Sequence, residues 1–315
     1  MSASIGFVAI DREFCDYTTI MSSVDSACYA AKESGRNALV VYSEDDDAVS
    51  ERTEEINWQP KLQSALEQGS FRLLVQAITV LEKGTVKPAI QHYEFLLRLL
   101  DSENEEISPY KFIKAAERYD MMAKIDRWVL ENAFMHISKL LNKLDEQCTF
   151  SINLSGQSLS DPQILDYIRT LFARHEVSPE CVWFEITETA AISQYSTASI
   201  LLQGLREMGA KVALDDFGSG LSSFVYLQKL PVDILKIDGQ FVKEVDINPV
   251  ARQMVSAIDQ MAKALGLLTV AEFVESAAVM EVLSDIGVDY AQGYHIARPC
   301  AIEAILSDSK ARKAA

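Results

Sequence analysis

The stretch Lys211-Val212-Ala213-Leu214-Asp215-Asp216-Phe217-Gly218-Ser219-Gly220 runs from apolar residues into two adjacent carboxylates and a glycine-rich turn. Side chains alternate between the two faces of a strand, so neighbouring carboxylates are expected to stay close only where a strand is ending. An unpaired carboxylate pair repels itself, whereas one or two divalent cations hold both ionised and give them a task. Asp, Gly and Ser are also turn residues, so this stretch alone leaves a metal site and a solvated turn both open.

Short apolar runs recur on either side of it: Phe71 to Ile78, Ile90 to Leu97, Thr149 to Leu154, Cys181 to Ile186, Lys211 to Leu214, Ile234 to Ile237, Leu268 to Ala271 and Tyr290 to Ile296. Helical segments lie between them. Ser108-Pro109, Asp161-Pro162 and Asn248-Pro249 place a capping side chain before a proline, and Gly209 and Gly266 sit where helices should end. Eight runs joined by crossovers predict an α/β fold, a (β/α)8 TIM-like barrel. A doubly wound sheet is the runner-up, weakened by the missing G-x-G-x-x-G.

Upstream, residues 4–10, about 21–32 and 38–42 read as strand, helix and strand, too small a unit to be stable alone. Acidic Glu44 to Asp47 marks a boundary. From Ser50 to Gly69 the pattern is helical, with Trp58, Leu62, Ala65 and Leu66 on one side. The predicted organisation is a small N-terminal α/β fragment over 1–47, a linker helix over 48–69 and the barrel over 70–315.

Twenty-nine basic against 46 acidic residues give a net charge of −17, which argues against a nucleic-acid polymer or an anionic membrane as partner. An anionic ligand then needs metal or a local basic group. Five scattered cysteines without C-x-x-C read as reduced, mostly buried thiols of a cytoplasmic protein. No apolar run approaches the roughly 20 residues that cross a bilayer.

In a barrel the strand ends converge on one mouth. They carry Gln76, Glu94, Asn153, Glu185 with Glu188, Asp215 with Asp216, Lys236 with Asp238, Glu272 with Glu275, and Gln292. Each has a plain structural reading. Glu94 can pair with Arg98, Asn153 can bond local backbone, Glu185 and Glu188 can cap the next helix, and Lys236 can pair with Asp238. All of these together would require many half-buried carboxylates with one lysine as relief, so the set favours function.

Carboxylates and an amide are hard oxygen donors, suited to Mg²⁺ or Mn²⁺ and lacking the His and Cys that zinc prefers. A carboxylate shared by two ions, with Asp215 the best placed, suits activation of water for phosphodiester hydrolysis, with Lys236 orienting the water. Calcium, with longer and looser coordination, is expected to support binding but little cleavage and so to inhibit. A Schiff base on Lys236 ranks low, because anionic neighbours raise its pKa.

Asp215 to Asp238, Glu185-Ile186-Thr187-Glu188, Asn153-Leu154-Ser155 and Ala271-Glu272-Phe273-Val274-Glu275, in this order, resemble the EAL-domain phosphodiesterases of bacterial cyclic di-GMP signalling. The resemblance covers about Leu62 to Ile305. It implies hydrolysis of cyclic di-GMP to linear pGpG with two Mg²⁺ or Mn²⁺ ions. Glu94, Asn153, Glu185 and Asp215 would hold one ion, and Asp215, Asp216 and Glu272 the other. Lys236, Glu272 and Glu188 carry catalytic roles, Lys236 at the water and Glu188 bracing the loop Ser219 to Ser223. Gln76, Leu97, Arg98, Asp238, Glu275 and Gln292 match substrate-side positions, Arg98 touching phosphate and Glu275 and Gln292 lending support to the ligands.

Two positions depart from the family pattern. Phe95 stands in Glu94-Phe95-Leu96 where Ala is usual, and Phe273 stands where Gly is common. Neither removes a ligand, but bulk beside Glu94 is expected to tilt the strand or narrow the pocket. Residues 4–9 and 25–37 resemble the tail of a GGDEF diguanylate cyclase domain without its signature segment. That implies no cyclase activity, and a place downstream of a sensor in a longer GGDEF–EAL protein, with homodimerisation favoured. The alternative is a cyclic di-GMP receptor, non-catalytic or autoinhibited; such receptors have usually lost metal ligands, which this chain retains.

Overall fold

The computed structural model describes residues 4–8, 20, 24, 27, 31, 39–41, 58–81, 90–143, 148–218 and 224–305. The chain divides into two compact units, Met1–Ser70 with Tyr110–Tyr119, and Phe71–Pro109 with Asp120–Ala315.

In the first unit, strands β1 (Ile5–Phe7) and β2 (Leu39–Val41) pair in parallel. Parallel neighbours need a crossover, and Ile20, Val24, Ala27 and Ala31 between them are helical, at the 4-3-4 spacing of one helix face. The helix Trp58–Gln68 buries Trp58, Leu62 and Ala65, three of the four residues expected on its apolar side.

The second unit is the barrel. Its strands are β3 (Phe71–Val80), β4 (Ile90–Leu100), β6 (Thr149–Asn153), β7 (Val182–Thr187), β8 (Lys211–Phe217), β9 (Ile234–Ile237), β10 (Leu268–Ala271) and β11 (Tyr290–Gln292). The sheet closes because β3 pairs with both β4 and β11. Short strands β5 (Glu106–Ile107) and β12 (Cys300–Ala301) extend β4 and β3.

One strand departs from the all-parallel expectation. β3 runs antiparallel to both neighbours. Only residues 81–89 join it to β4, too few for the crossover of a dozen or more that a parallel pair requires. Gln76 therefore reaches the interior from mid-strand and not from a strand's C-terminal end.

Alternation sorts the remaining side chains. Outward residues such as Phe150, Phe184, Val212 and Leu235 are fully buried, and Phe184 meets Phe172, itself edge-on to Phe134, beneath the surrounding helices. Inward, Ile78, Trp183, Ala213, Ile234 and Val270 pack with Leu268 and Tyr290 into an apolar floor. His92 lies on it, stacked on Trp183 at 3.8 Å and hydrogen-bonded to Thr149 and Ser151. Burial, reinforced by Lys236 and Lys211, holds its pKa well below the usual imidazole value, so it is a neutral member of the interior.

Asn248 caps Pro249–Ala264 by accepting from Val250 and Ala251, and Gly209 and Gly266 adopt positive φ after their helices. The helix expected to start at Pro162 instead runs Ile164–His175 without a side-chain cap, Asp161 accepting from Gln163 N in the turn before it. Cys148 is buried, Cys181 half-buried and Cys300 exposed. No helix among the described residues is long and apolar enough to cross a membrane.

Gly293 marks the tightest approach above the barrel. A Cβ there would run into the backbone N and O of Val274. Gly293→Ala is expected to lower the unfolding free energy by roughly 1–3 kcal/mol. Gly156→Ala, whose Cβ would sit 3.4 Å from its nearest neighbours, should change it by no more than about 0.5 kcal/mol. Urea denaturation of both variants checks the contrast, and equal losses would contradict it.

Candidate active site

The register that closes the barrel also composes its mouth. Gln76 lies opposite Glu94 across the β3–β4 pair, and Asn153 beside Glu185 across β6–β7. One level above the floor, the inward side chains are polar: Gln76, Glu94, Asn153, Glu185, Asp215, Lys236, Glu272 and Gln292, one from each strand or its last turn.

Lys236 is their hub. Its Nζ lies 2.6 Å from Glu185, 2.9 Å from Glu272, 3.1 Å from Asp215 and 3.7 Å from Glu94. Only 1% of Lys236 is exposed. Burial opposes its charge, yet Asp215, Glu185, Glu272 and Glu94 together push its pKa well above the usual lysine value. A fixed ammonium is the wrong state for Schiff-base chemistry, and its partners are these four carboxylates rather than Asp238.

The carboxylates are strained in the opposite sense. Burial, with Glu94 and Asp215 nearby, pushes Glu185 up to about 8 against the pull of Lys236. Burial likewise raises Glu272 well above the usual carboxylate range, and burial with the charges of Asp215 and Asp238 lifts Asp216 to about 6. One ammonium is too little positive charge for this set.

Asp215 and Asp216 come together by a device that the sequence did not announce. β8 does not end at Leu214. Leu214 pairs with Leu235 and Phe217 with Ile237, so β8 spends three residues where β9 spends two. The extra residue is a bulge, and Asp216 sits in it at φ 54°. Alternation is broken there, and oxygens of Asp215, Asp216 and Glu272 lie within 4.8 Å of one another.

Other predicted positions fall around this centre. Glu94 accepts from Asn153 Nδ2 at 2.7 Å and from Gln292 Nε2 at 2.6 Å. Glu188 is buried and accepts from Gly218 N at 3.0 Å, while Thr187, not Glu188, caps the helix that follows. The loop Ser219 to Ser223 that it was expected to brace lies outside the described residues. Arg98 pairs with Glu106 at 3.4 Å and bonds the carbonyl of half-buried Leu97, leaving Glu94 to other partners. Asp238 caps Gly239–Val242 through Gln240 N. Glu275 is exposed and makes no side-chain hydrogen bond or ion pair among the described residues.

The two unusual phenylalanines behave differently. Phe95 is 2% exposed and stacks on Phe150 at 5.8 Å, on the face of β4 opposite Glu94. Its bulk enters the outer layer and leaves the mouth unnarrowed. Phe273 follows Glu272 at φ 54°, half exposed, abutting Gly239 with the Lys243 ammonium 4.6 Å over its ring.

Asp126 was not anticipated. It is buried on the helix Met122–Leu141 and accepts from Ser155 N, Ser155 Oγ and Ser158 Oγ at 2.9, 2.6 and 2.5 Å. It fixes the loop after Asn153. An acid amid the apolar face of Ile125, Val129 and Leu130 was the available signal.

The donor set fits a hard divalent cation. All candidate ligand atoms are oxygens, and Glu185 Oε1 and Gln292 Oε1 are buried acceptors without a hydrogen-bond partner, which is costly unless something positive meets them.

Residues 59–299 match the family model of the EAL domain. The chain is 37% identical over 296 residues to the cyclic di-GMP phosphodiesterase PdeB of Shewanella oneidensis, covering 94% of this chain and 34% of that protein. It is 35% identical over 239 residues to the cyclic di-GMP phosphodiesterase PdeF of Escherichia coli, covering 76% and 31%. The chain thus spans about a third of the length of these curated relatives. Among solved structures, the PaMucR phosphodiesterase in complex with c-di-GMP superposes with a TM-score of 0.74 at 30% identity, over 79% of this chain and 99% of that one. The FimX EAL domain of Pseudomonas aeruginosa bound to c-di-GMP gives 0.70 at 33%, over 79% and 98%. A barrel with its first strand reversed and an acidic mouth built on Glu94, matched over this length, places the chain in the EAL domain family.

Proposed function

We propose that this chain is a metal-dependent phosphodiesterase that hydrolyses cyclic di-GMP to linear pGpG. One observation carries the reading: eight inward side chains supply an oxygen-rich mouth in which a single buried ammonium leaves the carboxylates under-compensated and two acceptors unpaired. The phosphodiesterase names of the relatives and the c-di-GMP complexes of the structural neighbours support it.

Glu94, Asn153, Glu185 and Asp215 would hold one Mg²⁺ or Mn²⁺ ion, and Asp215, Asp216 and Glu272 the second. Such ions would supply Lewis-acid stabilisation and would lower the pKa of a water so that it can attack phosphorus as hydroxide. Lys236, protonated, would orient that water by donating to it; Glu272, through the oxygen that metal leaves free, would take the water's proton as a P–O bond forms to the water oxygen and the P–O bond to one ribose 3′ oxygen breaks, that oxygen leaving as the protonated 3′ hydroxyl. Glu188 holds Gly218, two residues after Asp216. Leu97, Arg98, Asp238 and Glu275 belong to the nucleotide side, with Arg98 exchanging Glu106 for phosphate. Residues 1–47 belong to this reading as a partial GGDEF-like fragment, within a cytoplasmic and homodimeric assembly.

Incubation with cyclic di-GMP and Mg²⁺ or Mn²⁺, followed by chromatography, should yield pGpG. Glu94→Ala should abolish turnover with the fold intact; near-normal turnover in that variant would sink the ligand assignment. Calcium alone should permit binding with little cleavage, and brisk hydrolysis in calcium would count against the two-ion arrangement.

Stability supplies an independent check. Glu185 has a raised pKa in the folded chain, so above the ordinary carboxylate range the folded state retains a proton that the unfolded state has released. The associated stability is present at low pH and lost as pH rises towards about 8. The melting temperature of metal-free protein should therefore fall from about pH 5 to about pH 8, and Mn²⁺ should raise it most at the upper end. A metal-free melting temperature that does not fall across this range would contradict the under-compensated cluster.

A further inference from the structure

Asp126 lies outside the mouth, yet its bonds lead to one of the mouth's residues. It is 4% exposed, on the helix Met122–Leu141, beside buried Ile125, Val129 and Leu130. Its Oδ2 alone gathers three donors, Ser155 N at 2.9 Å, Ser155 Oγ at 2.6 Å and Ser158 Oγ at 2.5 Å. Burial raises its pKa against the pull of these bonds, so this is a costly place for an acid. Apolar residues would suffice to pack a helix face. What a satisfied buried carboxylate adds is a fixed arrangement of the groups that donate to it.

All three donors come from the turn that follows Asn153. Ser155 is the N-cap of Gly156–Leu159, and its Oγ accepts from Ser158 N while donating to Asp126. Leu154 N, one residue earlier, bonds Glu185 O at 2.8 Å. Glu185 O and Asp126 thus fix consecutive peptide N–H groups just beyond Asn153. The same turn docks on the helix at two further points. Gln157 Oε1 accepts from Met122 N, at a helix start that has no side-chain cap of its own, and Asp161 pairs with Arg127 at 2.7 Å.

Asn153 needs such a hold. It is exposed at the mouth, so close packing does not set its rotamer. Its Nδ2 donates to Glu94 Oε1 at 2.7 Å, which leaves Oδ1 as the atom free to meet a cation. Where that oxygen stands is decided by the backbone at the end of β6 and by the turn beyond it.

We propose that Asp126 is a positioning residue for Asn153, setting its Oδ1 for the metal ion by holding the turn 155–158 on the helix. The inference rests on the proposed role of Asn153 as a metal ligand. Partners that orient a ligand typically govern metal affinity by about 10- to 100-fold; Asp126 acts through backbone and belongs at the lower end.

The test uses the full chain, metal-free, titrated calorimetrically with MnCl₂. The variants are Asp126→Asn, Asn153→Ala, the two combined, and Asp259→Asn. Asp259 is the control: it is 1% exposed on Pro249–Ala264 and bonds Thr269 and Lys263, away from the turn. Asp126→Asn should weaken Mn²⁺ binding about tenfold. Asp259→Asn should leave it within about twofold of the parent, although melting shows both proteins destabilised. In the Asn153→Ala background, Asp126→Asn should cost no further Mn²⁺ affinity. If Asp126→Asn does not fold, Ser155→Ala, which withdraws one of the three donors, takes its place with a loss of roughly threefold.

Unchanged Mn²⁺ affinity in a folded but destabilised Asp126→Asn would make the acid purely structural and overturn the proposal. A loss that persists in the Asn153→Ala background would also overturn it, because the charge of Asp126 would then act without Asn153. A parent chain that binds no Mn²⁺ would remove the metal reading itself, and the proposal with it, before any variant is made; parental affinity in Asn153→Ala would remove the ligand role of Asn153 alone.

Discussion

The ammonium of Lys236, sealed among Glu185, Glu272, Asp215 and Glu94, is the interaction on which the rest of this structure depends. Removing a charge from water costs several kcal/mol even after relaxation, so none of these groups is tolerable there alone. Their mutual attraction offsets part of that cost, but four carboxylates against one cation leave acceptors over. The raised proton affinities of Glu185 and Glu272 and the unpaired Glu185 Oε1 express the same imbalance. A purely structural salt-bridge cluster would have been balanced. This one is held in place by lysine and left open to further positive charge.

Strand register is what brings such groups to one level. Inward residues alternate between floor and mouth at a spacing of two, so apolar Ile78, Trp183, Ala213, Ile234 and Val270 lie beneath Gln76, Glu185, Asp215, Lys236 and Glu272. A one-residue slip would exchange an inward acid for an outward aliphatic and bury charge against the helices. The apolar outer face and the acidic inner one therefore specify the same register. The reversal of β3 fits this scheme, because antiparallel pairing places Gln76 opposite Glu94.

Much of this was legible in the chain. Eight strand runs, the proline and glycine marks at the helix ends, and the recurrence of one polar residue per strand end are local patterns, and alternation turns them into a barrel with an acidic mouth. The signals that failed were those decided by partners distant in sequence. Strand direction at β3 follows from the short connection 81–89, a length that was visible but not weighed. The bulge at Asp216 depends on pairing with β9. Arg98 had Glu94 four residues before it and took Glu106 instead, because β5 folds back along β4. Phe95 raised a concern about the pocket that alternation already answered, since a neighbour of an inward residue points outward. Asp126 was missed because an acid on a helix is ordinarily solvated, and only the loop packed over it makes it a buried acceptor.

The mouth also carries the strained backbone. Asp216 and Phe273 both adopt positive φ, a conformation that costs side-chain-bearing residues of order 1–2 kcal/mol, and each follows a carboxylate of the cluster. In a regular strand the residue after an inward acid faces outward and the chain continues straight; a left-handed residue turns it. At Asp216 the turn brings a second carboxylate to the first. At Phe273 it lets the chain leave β10 over Gly239, with Val274 N returning to Gln292 O. The surrounding bonds hold these conformations: Glu188 to Gly218 N, Gln240 to Gly218 O, and the segment 293–297 against Val274. The residues that position the acids are therefore also those that restrain the strain, so changes in the loops above the barrel should act on the metal-candidate oxygens before they act on the fold.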